Sequence, residues 1–193
     1  MTETPISEVL VPRVLVPLAQ GCEELEAITI IDLLRRAGIE VISAGLDTEN
    51  VIASRGVKLI PDTDLESALK DDYDMIVLPG GLPGADHLDN DERLKSALKK
   101  MLNDDKYIAA ICAAPRVLAN AGVLAGKTAT SYPGFLDDPE LPDMTVSDEA
   151  VIRDGKIITS RGPGTAMDFA LELIEVLSGK ETRDTVETAL VRT

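Results

Sequence analysis

Short apolar runs of strand length alternate with helical patterns along most of this chain, and that alternation leaves few architectures open. Arg13–Leu18, Ile39–Gly45, Met75–Leu78 and Tyr107–Ile111 are apolar at most positions, as strands covered on both faces must be. Between them lie helical patterns at Glu23–Ala37, stopped by Gly38, at Asp64–Lys70 and at roughly Asp86–Leu102. A hairpin is expected from Val51–Ala53 and Val57–Ile60, turning at Ser54-Arg55-Gly56. After a short strand near Thr128–Ser131 and a Pro/Gly/Asp-rich loop, strands are predicted over Thr145–Ile152 and Lys156–Thr159. Thr165 and Asp168 read as a capping box opening a helix to Leu177, and a last helix covers Glu181–Leu190. Repeated βα units predict an α/β fold, doubly wound, with a mostly parallel sheet and helices on both faces. No linker is long enough to divide the chain, so a flexible segment at 1–12 and a single domain over 13–193 are expected.

Composition removes several function classes. The net charge is −15, which repels nucleic-acid backbones and anionic membrane surfaces. Aromatic residues make up 3% with no Trp, too few for a base-stacking platform. No apolar run approaches membrane-span length, and the acidic start, Met1 to Glu8, lacks a signal-peptide pattern. The two cysteines, Cys22 and Cys112, have neither zinc nor disulfide-framework spacing, so no metal site is expected. A cytoplasmic setting, where thiols stay reduced, is the expectation.

Cys112 joins the strand Tyr107–Ile111 directly to the helix-forming run Ala113–Ala119. A tight strand-to-helix turn is a nucleophile elbow, here carrying a thiol. It sets the sulfur over helix N–H groups, where a thiol should ionise more readily than a free one; a pKa lowered from ~8.5 to ~5–6 would make the thiolate dominant. Cys22, in a loop, reads at most as a secondary oxidation target. In parallel sheets the ligand crevice lies beyond the strands' C-terminal ends. The loops after Leu18, Leu78 and Ile111 all leave that edge and can converge.

On a helical wheel of about 100° per residue, Ala27, Ile30, Ile31, Leu33, Leu34 and Ala37 form one apolar arc. Glu26 falls inside it. A carboxyl buried there needs a partner or a proton, and Cys112 is the natural partner. Glu23 and Glu24 need no such explanation, since first-turn acids complement the helix dipole. Gly80-Gly81 let the backbone approach closely, and N–H groups of Gly81 and Ala113 offer an oxyanion hole.

Together Gly21–Glu26 (GCEELE), Val77–Gly81 (VLPGG), Ala109–Pro115 (AAICAAP) and Thr159–Thr165 (TSRGPGT) resemble the ThiJ/PfpI superfamily. Within it they look most like the clade of the parkinsonism-associated deglycase and bacterial YajL, in the same order from about Arg13 onward. The resemblance implies a flavodoxin-like fold, a homodimer and no cofactor. It implies Cys112 as the reactive cysteine, Glu26 as its hydrogen-bonded acid, and Gly81 and Ala113 as backbone donors. It also sets Arg55 near the site and dimer interface. Some relatives carry a His before a Pro after the elbow helix. Tyr132-Pro133 stands there in this chain, and Tyr132 either lines the pocket, donates a hydrogen bond or simply packs. The only His, His87, reads as a surface residue.

The activity so implied is glyoxalase and deglycase chemistry on methylglyoxal and related 2-oxoaldehydes or their adducts, in carbonyl and oxidative stress protection. The same constellation also suits a redox-sensing or chaperone-like protein without turnover. A cysteine peptidase or amidase is disfavoured, because such sites pair the thiol with a histidine.

Overall fold

The computed structural model describes residues 11–192. The expected flexible segment falls, up to residue 10, outside the described residues. Strands are β1 Arg13–Leu18, β2 Glu40–Gly45, β3 Val51–Ile52, β4 Lys58–Leu59, β5 Thr63–Asp64, β6 Met75–Leu78, β7 Tyr107–Ile111, β8 Thr128–Ala129, β9 Thr145–Val146, β10 Val151–Asp154 and β11 Ile157–Ser160. Helices are α1 Glu24–Arg36, α2 Leu65–Ala68, α3 Gly84–Asp89, α4 Glu92–Asn103, α5 Pro115–Asn120, α6 Ala166–Ser178 and α7 Lys180–Ala189.

The central sheet runs β10-β11-β7-β6-β1-β2-β5, parallel throughout except for β10 against β11. From β1 the chain winds outward through β2 and β5, then returns to β6 and builds in the opposite direction. The switch point therefore lies between β1 and β6, where such sheets open a crevice.

Side-chain alternation divides the core. Val14, Val16 and Leu18 join Val77 and Ile111 beneath Ile30 and Leu34 of α1 and Phe169 and Ile174 of α6. Leu15, Ile76, Leu78 and Ile108 face the other way, toward Leu94 and Leu98 of α4 and Leu118 of α5. Each central strand is thus apolar on both faces, which is why these runs read without polar alternation.

Three elements differ from expectation. The helix predicted over Asp86–Leu102 is two helices, because the Asp91 carboxylate caps a new start by accepting from the N–H groups of Arg93 and Leu94. The strand predicted over Thr145–Ile152 is also divided. Its first part, β9, pairs in parallel with β8, and only β10 joins the main sheet. Thr165 does not cap α6: its hydroxyl turns back to Gly162 and to the Ser160 Oγ.

Candidate active site

Glu26, Gly80 and Cys112 follow β1, β6 and β7, and the fold brings them together at the switch point. Glu26 lies in the first turn of α1 and is fully buried. Its Oε2 accepts the Gly80 N–H at 2.8 Å. The same loop returns the contact, since the Gly80 carbonyl accepts the Glu23 N–H at 2.9 Å. A Cβ on Gly80 would stand 2.7 Å from the Cys112 Cβ and 2.9 Å from Glu26 Oε2, so only glycine lets the three residues meet. Gly80 therefore positions Glu26, and its N–H is already committed to that carboxyl. Gly81 adopts φ +88°, the left-handed region, with Cys22 and Glu23 backbone against it.

Cys112 sits in the elbow with φ +64°, a conformation costly for a residue with a side chain. The neighbouring chain holds it there on both sides. Its N–H donates to the Ser160 carbonyl at 3.0 Å, and its carbonyl accepts the Tyr132 N–H at 2.8 Å. Cys112 is 8% exposed, whereas Cys22 is not exposed at all.

The proton balance differs from the sequence expectation. Burial pushes Glu26 up to about 7, against the hydrogen bonds of Gly80 and the Cys112 thiol. Its Oε1 is buried without a well-formed hydrogen bond, which also favours a protonated acid. For Cys112, burial and then the charge and hydrogen bond of Glu26 push the thiol up to about 12, while the Gly81 and Ala113 N–H groups pull it down. A depressed thiol pKa is thus not what this environment supplies. The helix beyond the elbow is only six residues long, and burial together with the neighbouring Glu26 outweighs it. The thiol rests protonated, beside a carboxyl able to take its proton.

The other candidates separate. Gly81 and Ala113 direct their N–H groups at the sulfur. Tyr132 is 48% exposed; its ring meets Phe135 edge-on, with centroids 6.2 Å apart, and lies over Gly162. Arg55 is exposed, and its guanidinium hydrogen-bonds the Ser54 carbonyl, while its N–H donates to Glu24. The described chain thus leaves the Arg55 side chain outside the Glu26–Cys112 pair. Cys22 is fully buried and burial pushes its thiol to about 12, so its surroundings favour packing over reaction. His87 is exposed on α3 and lines a separate cavity with Gln20, Asp47 and Asn90. Among the described residues no cluster of His, Cys, Asp or Glu could hold a metal. Sequence reasoning missed Ser160, whose carbonyl fixes the elbow N–H; its only sequence signal is its place in the Thr159–Thr165 motif.

Several known proteins resemble this chain in sequence and fold. The Drosophila melanogaster protein dj-1beta is 48% identical over 170 residues, covering 86% of this chain and 90% of that protein. Its crystal structure superposes with a TM-score of 0.91 over 95% of this chain and all of that one. Arabidopsis thaliana protein DJ-1 homolog B is 45% identical over 172 residues, which is 88% of this chain and 39% of that longer protein. The Caenorhabditis elegans glutathione-independent glyoxalase DJR-1.2 is 36% identical over 162 residues, covering 84% and 86% of the two chains. Residues 12–176 match the DJ-1/PfpI family, and this chain belongs to it.

Proposed function

We propose that this chain is a cofactor-independent glyoxalase that converts methylglyoxal and related 2-oxoaldehydes, or their adducts, into 2-hydroxy acids. The observation that carries this reading is the buried Glu26 carboxyl, poised at about 7 and hydrogen-bonded to the Cys112 thiol. A group with a pKa near the working pH serves equally as base and acid. The glyoxalase name of the nematode relative supports the substrate class.

Glu26 takes the thiol proton as sulfur bonds to the aldehyde carbon, forming a hemithioacetal. The new oxygen anion lies toward the N–H groups of Gly81 and Ala113 and is neutralised by the proton Glu26 has gained. Glu26, again a carboxylate, removes the proton from the former aldehyde carbon and delivers it to the adjacent ketone carbon, while the hemithioacetal hydroxyl proton passes to the ketone oxygen. The first carbon is thereby oxidised to a thioester and the second reduced to a carbinol. Water then cleaves the thioester, releasing the 2-hydroxy acid and the thiol. The balance is one 2-oxoaldehyde plus one water. An aminocarbinol or hemithioacetal adduct first expels its protein amine or thiol, regenerating the aldehyde carbonyl, and Cys112 then adds to that carbonyl to give the same thioester, which is the deglycase form of the reaction. The raised thiol pKa fits this scheme, because sulfur is activated only as Glu26 takes its proton.

Lactate formed from methylglyoxal without glutathione tests the reading. Cys112→Ser and Glu26→Gln each abolish it; turnover at the normal rate in either variant contradicts the assignment.

A redox-sensing reading is favoured by one observation: Cys112 keeps some exposure while Cys22 has none. Peroxide would take the Cys112 thiol to a sulfenic acid with release of water, beside an acid able to hydrogen-bond the product. Clean single-site oxidation with negligible kcat/KM for methylglyoxal would favour the sensor.

We take residues 13–193 as one catalytic unit acting as a homodimer in the reducing cytoplasm. Leu25 and Ile28 lie exposed one turn apart on α1, and the nearby hairpin exposes Ile52 and Val57. Glu24 ties the two elements by accepting the Arg55 and Val57 N–H groups, so these apolar side chains form a surface suited to a second copy. Among the described residues no helix is long and apolar enough to cross a membrane.

A further inference from the structure

A chain of hydroxyls lies behind the elbow, and the reaction scheme makes no use of it. The Gly162 N–H donates to Thr165 Oγ1 at 3.1 Å, Thr165 Oγ1 stands 2.7 Å from Ser160 Oγ, and Ser160 Oγ donates to the Ala150 carbonyl at 2.8 Å. Thr165 Oγ1 has one hydrogen and two acceptors in reach, Ser160 Oγ at 2.7 Å and the Gly162 carbonyl at 2.9 Å; with the Ser160 hydrogen given to Ala150, the chain runs Gly162 to Thr165, Thr165 to Ser160, Ser160 to Ala150. The Arg161 N–H also donates to Ala150, at 3.1 Å, doubling the tie. Ser160 is fully buried, at the C-terminal end of β11, where its carbonyl receives the Cys112 N–H.

We infer that Ser160 and Thr165 are positioning residues that hold the Cys112 elbow in register with Glu26. A non-glycine residue at φ +64° persists only where its surroundings over-determine it. On the sheet side that constraint is the Ser160 carbonyl. Beyond Ser160 the chain turns sharply through Gly162 and Pro163 into α6, and the hydroxyl chain secures that turn. It also explains why Thr165 forgoes capping α6: its hydroxyl is spent on Gly162 and Ser160. Without the hydroxyls the Ser160 peptide is free to tilt, and the sulfur moves away from the carboxyl without any change in the reacting groups. This rests on the Glu26–Cys112 pairing described above, but not on the identity of the substrate.

The test uses the intact protein and reads the pair directly. The rate of Cys112 alkylation by iodoacetamide is followed against pH, with and without Glu26→Gln, by intact mass. In the otherwise unaltered protein Glu26→Gln shifts the thiol ionisation downward. In Thr165→Val and in Ser160→Ala that shift shrinks or vanishes, and Thr165→Ser restores it. If methylglyoxal is the substrate, kcat of Thr165→Val falls roughly 10- to 100-fold with KM little changed. An undiminished Glu26→Gln shift in the folded Val and Ala variants overturns the inference. Absence of lactate from the unaltered protein overturns only the glyoxalase reading. Hydrogen exchange on the unaltered protein is independent of any variant's folding: the Cys112 amide exchanges as slowly as those of Ile158 and Thr159, and loop-like exchange there also overturns it.

Discussion

Glu26 and Gly80, 54 residues apart in the chain, are joined by a 2.8 Å hydrogen bond from the Gly80 N–H to the buried carboxyl. That bond aims the acid, and the missing Cβ of Gly80 leaves room for Cys112. The site is thus assembled from three loop ends whose relative positions the sheet register dictates.

The first prediction concerns stability against pH. Glu26 rises from an ordinary 4.5 to about 7 on folding, so between those values the folded chain binds more protons than the unfolded one. Stability contributed at low pH is therefore lost as pH rises through that window, by about 3 kcal/mol in all. Urea denaturation from pH 4.5 to 8 should show this decline, and Glu26→Gln should flatten it. A decline of the same size in Glu26→Gln would assign the titration to another group.

The second concerns the thiol. The charge of Glu26 is among the causes that raise Cys112, so a neutral Gln moves the thiol ionisation down. Alkylation of Glu26→Gln should therefore outpace that of the parent protein at pH 8–9, even as lactate formation falls some 10²- to 10⁴-fold. Slower alkylation in the Gln variant would mean that the acid stabilises the thiolate.

Selectivity between the cysteines is the third. Iodoacetamide should add one label to the native chain, at Cys112, and none to Cys112→Ala, because Cys22 is wholly enclosed. Peptide mapping after denaturation locates the label. Labelling of Cys22 at a comparable rate would show that the β1–α1 loop opens.

Gly80→Ala is the fourth. The added methyl meets the Cys112 Cβ, Glu26 Oε2 and the Ile111 carbonyl, all within 2.9 Å. Overpacking of this kind costs about 1–3 kcal/mol and drives the thiol and acid apart. Thermal unfolding and lactate formation should both fall, whereas Gly164→Ala, which meets nothing within 4 Å, should leave both near normal.

The fifth tests assembly. Ile28→Asp, alone or with Val57→Asp, sets a charge on the exposed apolar surface and should convert a dimer to a monomer in sedimentation velocity. An unchanged sedimentation coefficient would put any interface elsewhere.

Much of this was legible in the chain itself. The strands Arg13–Leu18, Met75–Leu78 and Tyr107–Ile111 stand as read, because residues buried on both faces leave an uninterrupted apolar signal. Glu26 was legible as a carboxyl inside an apolar helical arc, and Cys112 as the residue between a strand and a helix. Local pattern could not see the break at Asp91, where one capping carboxylate interrupts an otherwise continuous helical period. Nor could it see Thr165 turned away from its helix, since its partners Ser160 and Gly162 are set by how β11 meets α6.

From the sequence by itself came the order of βα units, the acid and thiol that the fold pairs, and the glycines that let them approach. Only the tertiary structure decided the proton balance between them. Ionisation depends on burial and on the distance to the nearest charge, and neither is defined until β1, β6 and β7 lie side by side. A short helix suggested an acidic thiol; enclosure beside a buried carboxyl raises the thiol instead and makes the acid the group that titrates near neutrality.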